Sequence, residues 1–439
     1  MKRVVVIGAG TAGTIMANRL ARMYRRELRD GSMRLTVVDQ DDRHLYQPGL
    51  LFLPFGGYEE RQIVKPRRGL LAPAVEYVSA EVDRVEANLD AVFLKDRAPL
   101  SYDVLIVASG TRLVPEETEG LLGDGWRSKV FDFYTLEGAS ALRDALKRFE
   151  RGRLVIDIAE MPIKCPVAPL EFAFLADAYF TGRGIRDRVD ITFVTPLDKA
   201  FTKETCAIAL GHLLTDKRIN LVTEFSAGRV DGGGGAGGAG RLVSWDERTV
   251  DFDLLVTVPL HAGQEFVGRS PGLGDSLNFV PTDPHTLQAR RKPNIFALGD
   301  ATDLPSSKAG SVAHFQAEVL APNVRRFLGG EPLDPGFDGH ANCFVETGFH
   351  KALLIDFNYD VEPLPGRFPF AAGPLSLLKE SRLNHLGKLG FRWIYWNLLL
   401  PGHDIPGITP RMSMAGKRAL EPALVAAASG AVPGVPAKV

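Results

Sequence analysis

The feature that most constrains the fold is a glycine pattern near the start of the chain. Gly8, Gly10 and Gly13 form G-A-G-T-A-G directly after a predicted strand and directly before a predicted helix. Glycines at this spacing let the backbone turn and approach a pyrophosphate, whose charge the helix N-terminus stabilises. Asp39 ends the next predicted strand, where a carboxylate takes ribose hydroxyls and disfavours a 2′-phosphate. The pattern predicts a dinucleotide-binding βαβ unit.

Composition narrows the class of protein further. The chain has 439 residues, is 45% hydrophobic and carries a formal net charge of −1, so it can bury a large core and has no basic excess to favour nucleic acid. Three cysteines are too few to staple a chain of this size, which favours a chemical role for them. We expect no signal peptide, no spanning run of about 20 apolar residues, and no metal site.

A second βαβ unit is predicted to begin near residue 151, but its turn has no glycine. The predicted strand 153–158 is followed by A-E-M-P-I-K-C-P, and prolines and branched side chains keep a pyrophosphate away from the backbone. The sequence therefore predicts a lost nicotinamide site. Cys165 stands beside Lys164 and ahead of a predicted helix, and both favour a thiolate. The other interpretation of Cys165 is a small buried apolar side chain.

Two later segments indicate which dinucleotide is bound. Y-D-V-L-I-V-A-S-G-T, ending at Gly110 and Thr111, and I-F-A-L-G-D-A-T-D, containing Gly299 and Asp300, resemble the paired signatures of two-dinucleotide-binding flavoproteins. The resemblance implies FAD, with Asp300 at the ribityl chain. The next helix is entered through Lys308, and its positive end can stabilise a reduced flavin.

These segments predict an α/β fold with two Rossmann-like dinucleotide-binding domains. A C-terminal membrane-associating helical region is expected to follow them. A glycine-rich surface loop is expected at 232–240 and a frayed tail at 423–439. The domains are expected over 1–112 with 285–335 (FAD-binding), 113–284 (second Rossmann-like domain, carrying Cys165) and 336–439 (C-terminal domain, carrying Cys343).

Four segments together resemble the sulfide:quinone oxidoreductase family. They are I-K-C-P-V-A-P around Cys165, N-C-F-V-E-T-G around Cys343, Y-Q-P-G at 46–49 and S-S-K-A-G-S-V-A-H-F-Q at 306–316. The flavoprotein subunit of flavocytochrome c sulfide dehydrogenase shares part of this pattern. The resemblance implies a redox-active Cys165–Cys343 pair beside FAD. Through it, two-electron oxidation would convert sulfide to sulfane sulfur or polysulfide and pass the electrons to membrane quinone.

Two further positions are interpreted through this resemblance. Glu171 matches a glutamate of some family members that moves a proton, although a solvated surface charge is the other interpretation. Many members carry a further cysteine upstream of the pair, but residues 129–139 contain none. Cys206 lies elsewhere in the pattern and is predicted to be structural.

The segment 376–400 combines basic residues with apolar and aromatic side chains on a helical spacing. Such a helix suits the surface of a bilayer, and the resemblance implies a quinone channel there with Lys379, Phe391 and Tyr395 as candidates. A helix packed on the protein or at a dimer contact is the alternative, and a homo-oligomer is one option. We therefore expect a peripheral membrane protein, located at a bacterial plasma membrane.

Three other functions stay open at this point. A type II NADH:quinone reductase would share the fold, although the glycine-free second turn disfavours it. A sulfide dehydrogenase flavoprotein would pass its electrons to cytochrome c instead of quinone. A non-catalytic flavin-binding, sulfur-sensing protein would keep FAD without turnover.

Overall fold

The computed structural model describes residues 1–233 and 238–419, so the centre of the expected glycine-rich loop and the expected tail lie outside it. The strands are β1 (Lys2–Ile7), β2 (Met33–Asp39), β3 (Arg43–Leu45), β4 (Val64–Pro66), β5 (Glu76–Ser79), β6 (Val82–Glu86), β7 (Ala91–Leu94), β8 (Leu100–Ser101), β9 (Val104–Val107), β10 (Thr111–Leu113), β11 (Val130–Phe131), β12 (Gly152–Ile158), β13 (Val189–Val194), β14 (Ile219–Val222), β15 (Ala227–Asp231), β16 (Gly240–Ser244), β17 (Thr249–Phe252), β18 (Leu254–Val258), β19 (His261–Gly263), β20 (Ile295–Ala297), β21 (Ala341–Gly348), β22 (Lys351–Phe357), β23 (Gly366–Phe368) and β24 (Leu375–Leu377).

The helices follow the same numbering. They are α1 (Thr11–Met23), α2 (Arg25–Arg29), α3 (Glu60–Ile63), α4 (Leu136–Arg148), α5 (Ala168–Gly182), α6 (Glu204–Asp216), α7 (Glu265–Gly268), α8 (Gly310–Leu328) and α9 (Arg382–Ile394), which runs into a π-helical turn at Tyr395–Leu399. Short 3₁₀ turns lie at Gln47–Leu51, Leu53–Phe55, Arg68–Leu70, Pro115–Glu117, Arg186–Arg188 and Gly299–Ala301.

The first sheet has the order β20-β9-β1-β2-β5, and all its strands are parallel. Its central strands read as continuous apolar runs because both faces are covered, and β9 is buried at every position. Helices α1 and α8 pack against each other on one face. Gly13 is fixed by the tight βα turn, since a Cβ there would lie 1.8 Å from the carbonyl oxygen of Gly8.

The second sheet repeats the parallel pattern, with the order β11-β18-β12-β13-β14. Helix α5 follows β12 and packs against β12 and β13. The two parallel sheets confirm the predicted α/β fold with two Rossmann-like units. Helix α5 also contacts β21, and this contact joins the second unit to the C-terminal sheet.

The C-terminal sheet has the order β21-β22-β24-β23, and α9 packs against β21 and β22. The prediction that the helix begins at residue 376 is wrong. Strand β24 occupies Leu375–Leu377, and the helix begins only at Arg382. Ser381 sets this start by accepting the Asn384 N–H at 3.0 Å. The buried Asn384 amide donates to the carbonyl oxygen of Ala352 at 3.1 Å, which fixes the helix to β22.

One carboxyl group is buried at the centre of the second sheet. Asp157 lies on β12 opposite Thr257 of β18, and neither side chain has exposed surface. The Thr257 hydroxyl donates to Oδ2 at 3.0 Å, whereas Oδ1 has no hydrogen-bond partner among the described residues. Burial raises the pKa of Asp157 to about 7, although the Thr257 hydroxyl acts in the opposite direction.

We predict that Asp157 makes the stability of the protein depend on pH. Because the folded-state pKa lies above the unfolded value of about 3.9, the stabilisation is complete below that value and is lost as the pH rises towards 7. Between pH 5 and pH 8 the wild type should lose about 2 kcal/mol from this group. Asp157→Asn should not lose it. Urea unfolding at both pH values measures the difference, with Asp190→Asn, exposed on the neighbouring strand, as the matched control. Parallel curves for wild type and Asp157→Asn would refute the assignment.

Candidate functional site

A cavity of about 560 Å³ opens where β1, β2, β9 and β20 end, the edge at which parallel sheets bind ligands. The first sheet, the loop before α5, strand β21 and the end of α9 all contribute to its wall. Lining residues include Gly8, Gly10, Thr11, Asp39, Tyr46, Gly110, Tyr134, Lys164, Cys165, Glu171, Gly299, Asp300, Lys308, Cys343, Phe344, Lys388, Phe391 and Tyr395.

The nucleotide end of the cavity has the form that a pyrophosphate requires. Gly8 has a φ of +99°, and a Cβ there would lie 2.5 Å from the carbonyl oxygen of Ala108. A Cβ on Gly10 would meet nothing within 4 Å, so the backbone is open to the cavity. Helix α1 begins beside it without a side-chain cap, which leaves peptide N–H groups for an anion. These residues fit the diphosphate of FAD.

Asp39 lines the same end of the cavity but is also part of the loop's own support. Its Oδ2 accepts the Ala9 N–H at 2.6 Å, and Oδ1 accepts the Gln40 N–H at 2.8 Å. Arg67 forms an ion pair with the same carboxylate. Asp39 therefore holds the glycine loop in place beside the position predicted for the ribose.

The predicted residues after β20 line the same cavity, and Gly299 lies beside the start of α1, since a Cβ there would lie 2.9 Å from the Cβ of Ala12. Asp300 lines the cavity, and burial raises the pKa of its carboxyl while Lys308 and Lys164 lower it. The Lys308 ammonium donates to the carbonyl oxygens of Asp300 at 3.1 Å and Thr302 at 2.6 Å. The carbonyl oxygen of Lys308 accepts the Cys165 N–H at 2.8 Å. Lys308 thus fixes the loop and ties the two Rossmann-like units together at the cysteine.

The structure brings Cys165 and Cys343 to one cavity, although they are 178 positions apart in the sequence (343 − 165). Cys165 precedes α5 with a left-handed φ of +46°, and Cys343 lies on β21. All three cysteines are free thiols, and Cys206 is buried on α6 and does not line this cavity. The packing of α5 on β21 places the two thiols on the same wall.

The thiols are held in their neutral form. Burial raises the pKa of Cys343 to about 12, with a further rise from Glu171, and burial also raises the pKa of Cys165 well above its usual range. The cation that opposes both shifts is Lys388. Desolvation opposes the expected effect of Lys164 and the helix dipole on Cys165, and the Lys164 ammonium lies over the Tyr134 ring, 5.9 Å from its centroid.

Glu171 is a buried member of this site and not a surface charge. It is 2% exposed, forms an ion pair with Lys388, and accepts the Glu346 N–H at 2.6 Å. Lys388 also donates to the carbonyl oxygen of Phe344 at 2.9 Å. Burial lowers the pKa of Lys388, but the carboxylates of Glu171 and Glu346 outweigh burial and raise it, so the ammonium is protonated. The surface-charge interpretation fails because β21 covers this face of α5.

The candidates on the C-terminal segment divide into two groups. Phe391 and Tyr395 line the cavity, whereas Lys379 is exposed before α9 and does not. The cation on this wall is Lys388, which sequence reasoning missed. The sequence spacing could have indicated Lys388. Once the start of α9 is known, Lys388, Phe391 and Tyr395 fall on one face of the helix. Phe344 lies against the same helix, since a Cβ on Gly387 would lie 2.9 Å from its ring.

The second turn is closed by the chain's own contacts. The carbonyl oxygen of Pro162 accepts the His261 N–H at 2.9 Å, and Ile163 is 3% exposed. No glycine in this turn opens the backbone to a ligand. This arrangement agrees with the predicted loss of a nicotinamide site.

The open glycine loop, the uncapped α1 and the paired thiols define a flavin-dependent oxidoreductase with an α/β fold. The family model described as pyridine nucleotide-disulphide oxidoreductase matches residues 2–317, and the chain belongs to this family. Its cofactor is FAD, as predicted.

Several of the proteins that this chain resembles are sulfide:quinone oxidoreductases. The mitochondrial sulfide:quinone oxidoreductase of Mus musculus is 26% identical over 402 residues, covering 91% of this chain and 86% of that protein. That of Schizosaccharomyces pombe is 27% identical, with coverages of 90% and 89%. The crystal structure of the sulfide:quinone oxidoreductase of Aquifex aeolicus superposes with a TM-score of 0.74 at 19% identity, covering 92% of each chain, and shows the shared fold. The predicted resemblance to this family is confirmed.

The expected location is contradicted by the same comparison. The M. musculus and S. pombe relatives are mitochondrial proteins of eukaryotes, whereas the sequence was interpreted as that of an enzyme at a bacterial plasma membrane. The amphipathic segment that prompted this expectation describes a surface and carries no information on the compartment.

We predict that Lys388→Met destabilises the protein by about 3–5 kcal/mol at pH 8, because it leaves the Glu171 carboxylate buried without a cation. Burial already raises the pKa of Glu171 in the wild type while Lys388 lowers it, so removing Lys388 should raise this pKa further. The loss should therefore shrink as the pH falls and Glu171 takes up a proton. Urea unfolding at pH 8 and pH 5 measures both effects.

Two variants separate this effect from a general loss of packing. Glu171→Gln combined with Lys388→Met removes both charges and should recover much of the stability. Lys379→Met changes the same residue type at an exposed position and should leave stability near that of the wild type. A double variant no more stable than Lys388→Met would show that Glu171 is not the destabilising group.

Proposed function

We propose that the protein oxidises sulfide at Cys165 and Cys343 and passes the two electrons through FAD to a quinone. The observation that carries this proposal is the meeting of both thiols with the glycine loop in one cavity. The similarity to sulfide:quinone oxidoreductases over about nine-tenths of the chain supports it.

The residues supply the sulfur chemistry in the oxidised, disulfide form of the pair. Hydrosulfide attacks the sulfur of Cys343, the S–S bond to Cys165 breaks, and Cys343 becomes a persulfide while Cys165 leaves as a thiolate. The attacking sulfur is oxidised, and the electron pair stays on Cys165. The Lys388 ammonium acts on this thiolate and stabilises its charge. Bound FAD supplies a two-electron acceptor between sulfur and quinone.

The proton released from hydrosulfide needs an acceptor near the thiols. Glu171 lies in the same cavity, and its negative charge affects both cysteines. Its pairing with Lys388 keeps a carboxylate available in a buried position. We assign proton transfer to Glu171 on this basis.

The acceptor side is assigned to the wall formed by α9. Phe391 and Tyr395, whose ring centroids lie 6.5 Å apart, provide aromatic surfaces at this wall. A flat quinone ring suits such aromatic faces. The closed second turn disfavours NADH as the donor.

We predict that sulfide bleaches the oxidised flavin of the wild type within seconds, and that Cys165→Ser and Cys343→Ser slow this bleaching by about a thousandfold or more, since each removes one partner of the S–S bond. Stopped-flow absorbance of the anaerobic holoenzyme measures the rate. Cys206→Ser is the matched control and should bleach like the wild type.

The same experiment decides among the other functions. Reoxidation of the bleached flavin by a short-chain quinone supports the proposal, whereas reoxidation by cytochrome c alone favours a sulfide dehydrogenase. Bleaching by NADH without sulfide would favour a type II NADH:quinone reductase. A flavin that stays oxidised with sulfide would favour a non-catalytic sulfur-sensing protein.

We further propose that α9 rests on a membrane surface. Leu383, Leu386, Leu389 and Trp393 are 46%, 59%, 38% and 62% exposed and lie three or four residues apart, so they form one apolar stripe. Arg382 flanks the stripe at its start. Within the described residues, no helix has the length and apolar character needed to cross a bilayer. This surface suits contact with the headgroup region.

We predict that Leu386→Glu combined with Trp393→Glu lowers binding to anionic vesicles at least tenfold, because two anchors are replaced by charges that the bilayer excludes. Vesicle co-flotation of the holoenzyme measures binding. Leu89→Glu, at a position 68% exposed in the first unit, should bind as the wild type does. Equal binding of all three proteins would refute the assignment of the stripe.

A further inference from the structure

The segment 395–404, which begins where α9 ends, docks along the helix that follows the glycine loop. The side-chain amide of Asn18 donates to the carbonyl oxygen of Leu400 at 2.7 Å, in a buried hydrogen bond. Arg19 forms an ion pair with Asp404 at 2.7 Å. Together with the contact between Tyr395 and Thr11, these bonds place residues 395–404 against α1 from Thr11 to Arg19, more than two of its turns, although about 380 residues separate the partners in sequence.

At the nucleotide end of α1, the same segment contacts the glycine loop itself. The hydroxyl of Tyr395 lies 2.7 Å from the hydroxyl of Thr11 and 2.7 Å from Nε2 of His44. Nδ1 of His44 lies 3.1 Å from the carbonyl oxygen of Ala9. Tyr395 and His44 are each 1% exposed, so water does not compete for these bonds.

The direction of each bond follows from the groups involved. The carbonyl oxygen of Ala9 can only accept, so Nδ1 of His44 carries the proton. Burial lowers the pKa of His44 to about 4, and a neutral ring then accepts at Nε2 from the Tyr395 hydroxyl. The Tyr395 oxygen in turn accepts the proton of the Thr11 hydroxyl.

These three bonds close a path that begins and ends on the glycine loop. The path leaves the loop at Thr11 and returns to it at Ala9, so it encloses Gly10, the residue whose backbone is open to the cavity. Asp39 holds Ala9 from the other side. The bond to Tyr395 also fixes the side chain of Thr11, the first residue of α1, next to the uncapped start of the helix.

We propose that Tyr395 is a positioning residue for FAD, and that FAD binding and the docking of residues 395–404 on α1 strengthen each other. A segment that fixes the glycine loop in its binding form raises the affinity for the diphosphate, and linkage requires that the diphosphate stabilise the docked segment equally. The proposal rests on the FAD site alone, so it is independent of the sulfide chemistry.

The first test is FAD binding to the apo form of the full chain. Tyr395→Phe keeps the ring but removes the hydroxyl and both of its hydrogen bonds, so the dissociation constant for FAD should rise about tenfold. Quenching of flavin fluorescence measures it without reference to activity. Tyr58→Phe is the matched control: Tyr58 belongs to the same aromatic cluster, does not line the cavity, and should bind FAD as the wild type does.

The second test uses the wild-type chain, so it does not depend on the folding of a variant. Adding FAD to the apoprotein should slow amide hydrogen exchange in residues 395–404 about tenfold, and Tyr395→Phe should weaken this protection. Unchanged exchange on adding FAD would overturn the coupling. An unchanged dissociation constant for Tyr395→Phe would overturn the positioning role.

Discussion

The contact between α5 and β21 is the constraint on which the site depends. Its clearest bond is the Glu346 N–H donated to the Glu171 carboxylate, between residues 175 positions apart. Gly348 allows the approach, because a Cβ there would lie 2.8 Å from the carbonyl oxygen of Phe174. This packing brings Cys343 to the same cavity as Cys165 and buries Glu171. A buried carboxylate then requires a cation, and Lys388 of α9 provides it.

The electrostatics of the cavity follow from this order of packing. Because Glu171 and Lys388 carry opposite charges, desolvation is the largest influence on the thiols, and it raises the pKa of both. Thiols with raised pKa values suit a pair that reacts through its disulfide. In that reaction the attacking anion is the substrate and not a protein thiolate. The two cysteines are therefore weak nucleophiles as thiols. A thiolate forms only when the S–S bond opens, and it then lies near the Lys388 ammonium.

The sequence predicts best what depends on neighbours in the chain. The glycine loop, Asp39 and the parallel strands follow local rules, and they lie where expected. The meeting of Cys165 with Cys343 came only from a family resemblance, because spacing carries no information on distant contacts. Local reasoning chose Lys379 over Lys388 because the position of α9 depends on the bond from Asn384 to β22, a strand distant in the sequence. It underestimated the burial of Glu171 for the same kind of reason, a strand supplied from far along the chain.

Helix α9 has one face in the cavity and the opposite face on the outer surface, where its leucines and Trp393 stand. A hydrophobic acceptor leaving a lipid leaflet would thus travel only about 10 Å, the width of one helix, to reach Phe391. With α9 on a membrane as proposed, the relevant abundance of such an acceptor would be its number per area of bilayer, not its bulk molarity. Turnover would consequently follow the lipid-to-protein ratio of a preparation, and diluting the acceptor with inert lipid would slow the enzyme at constant total amounts.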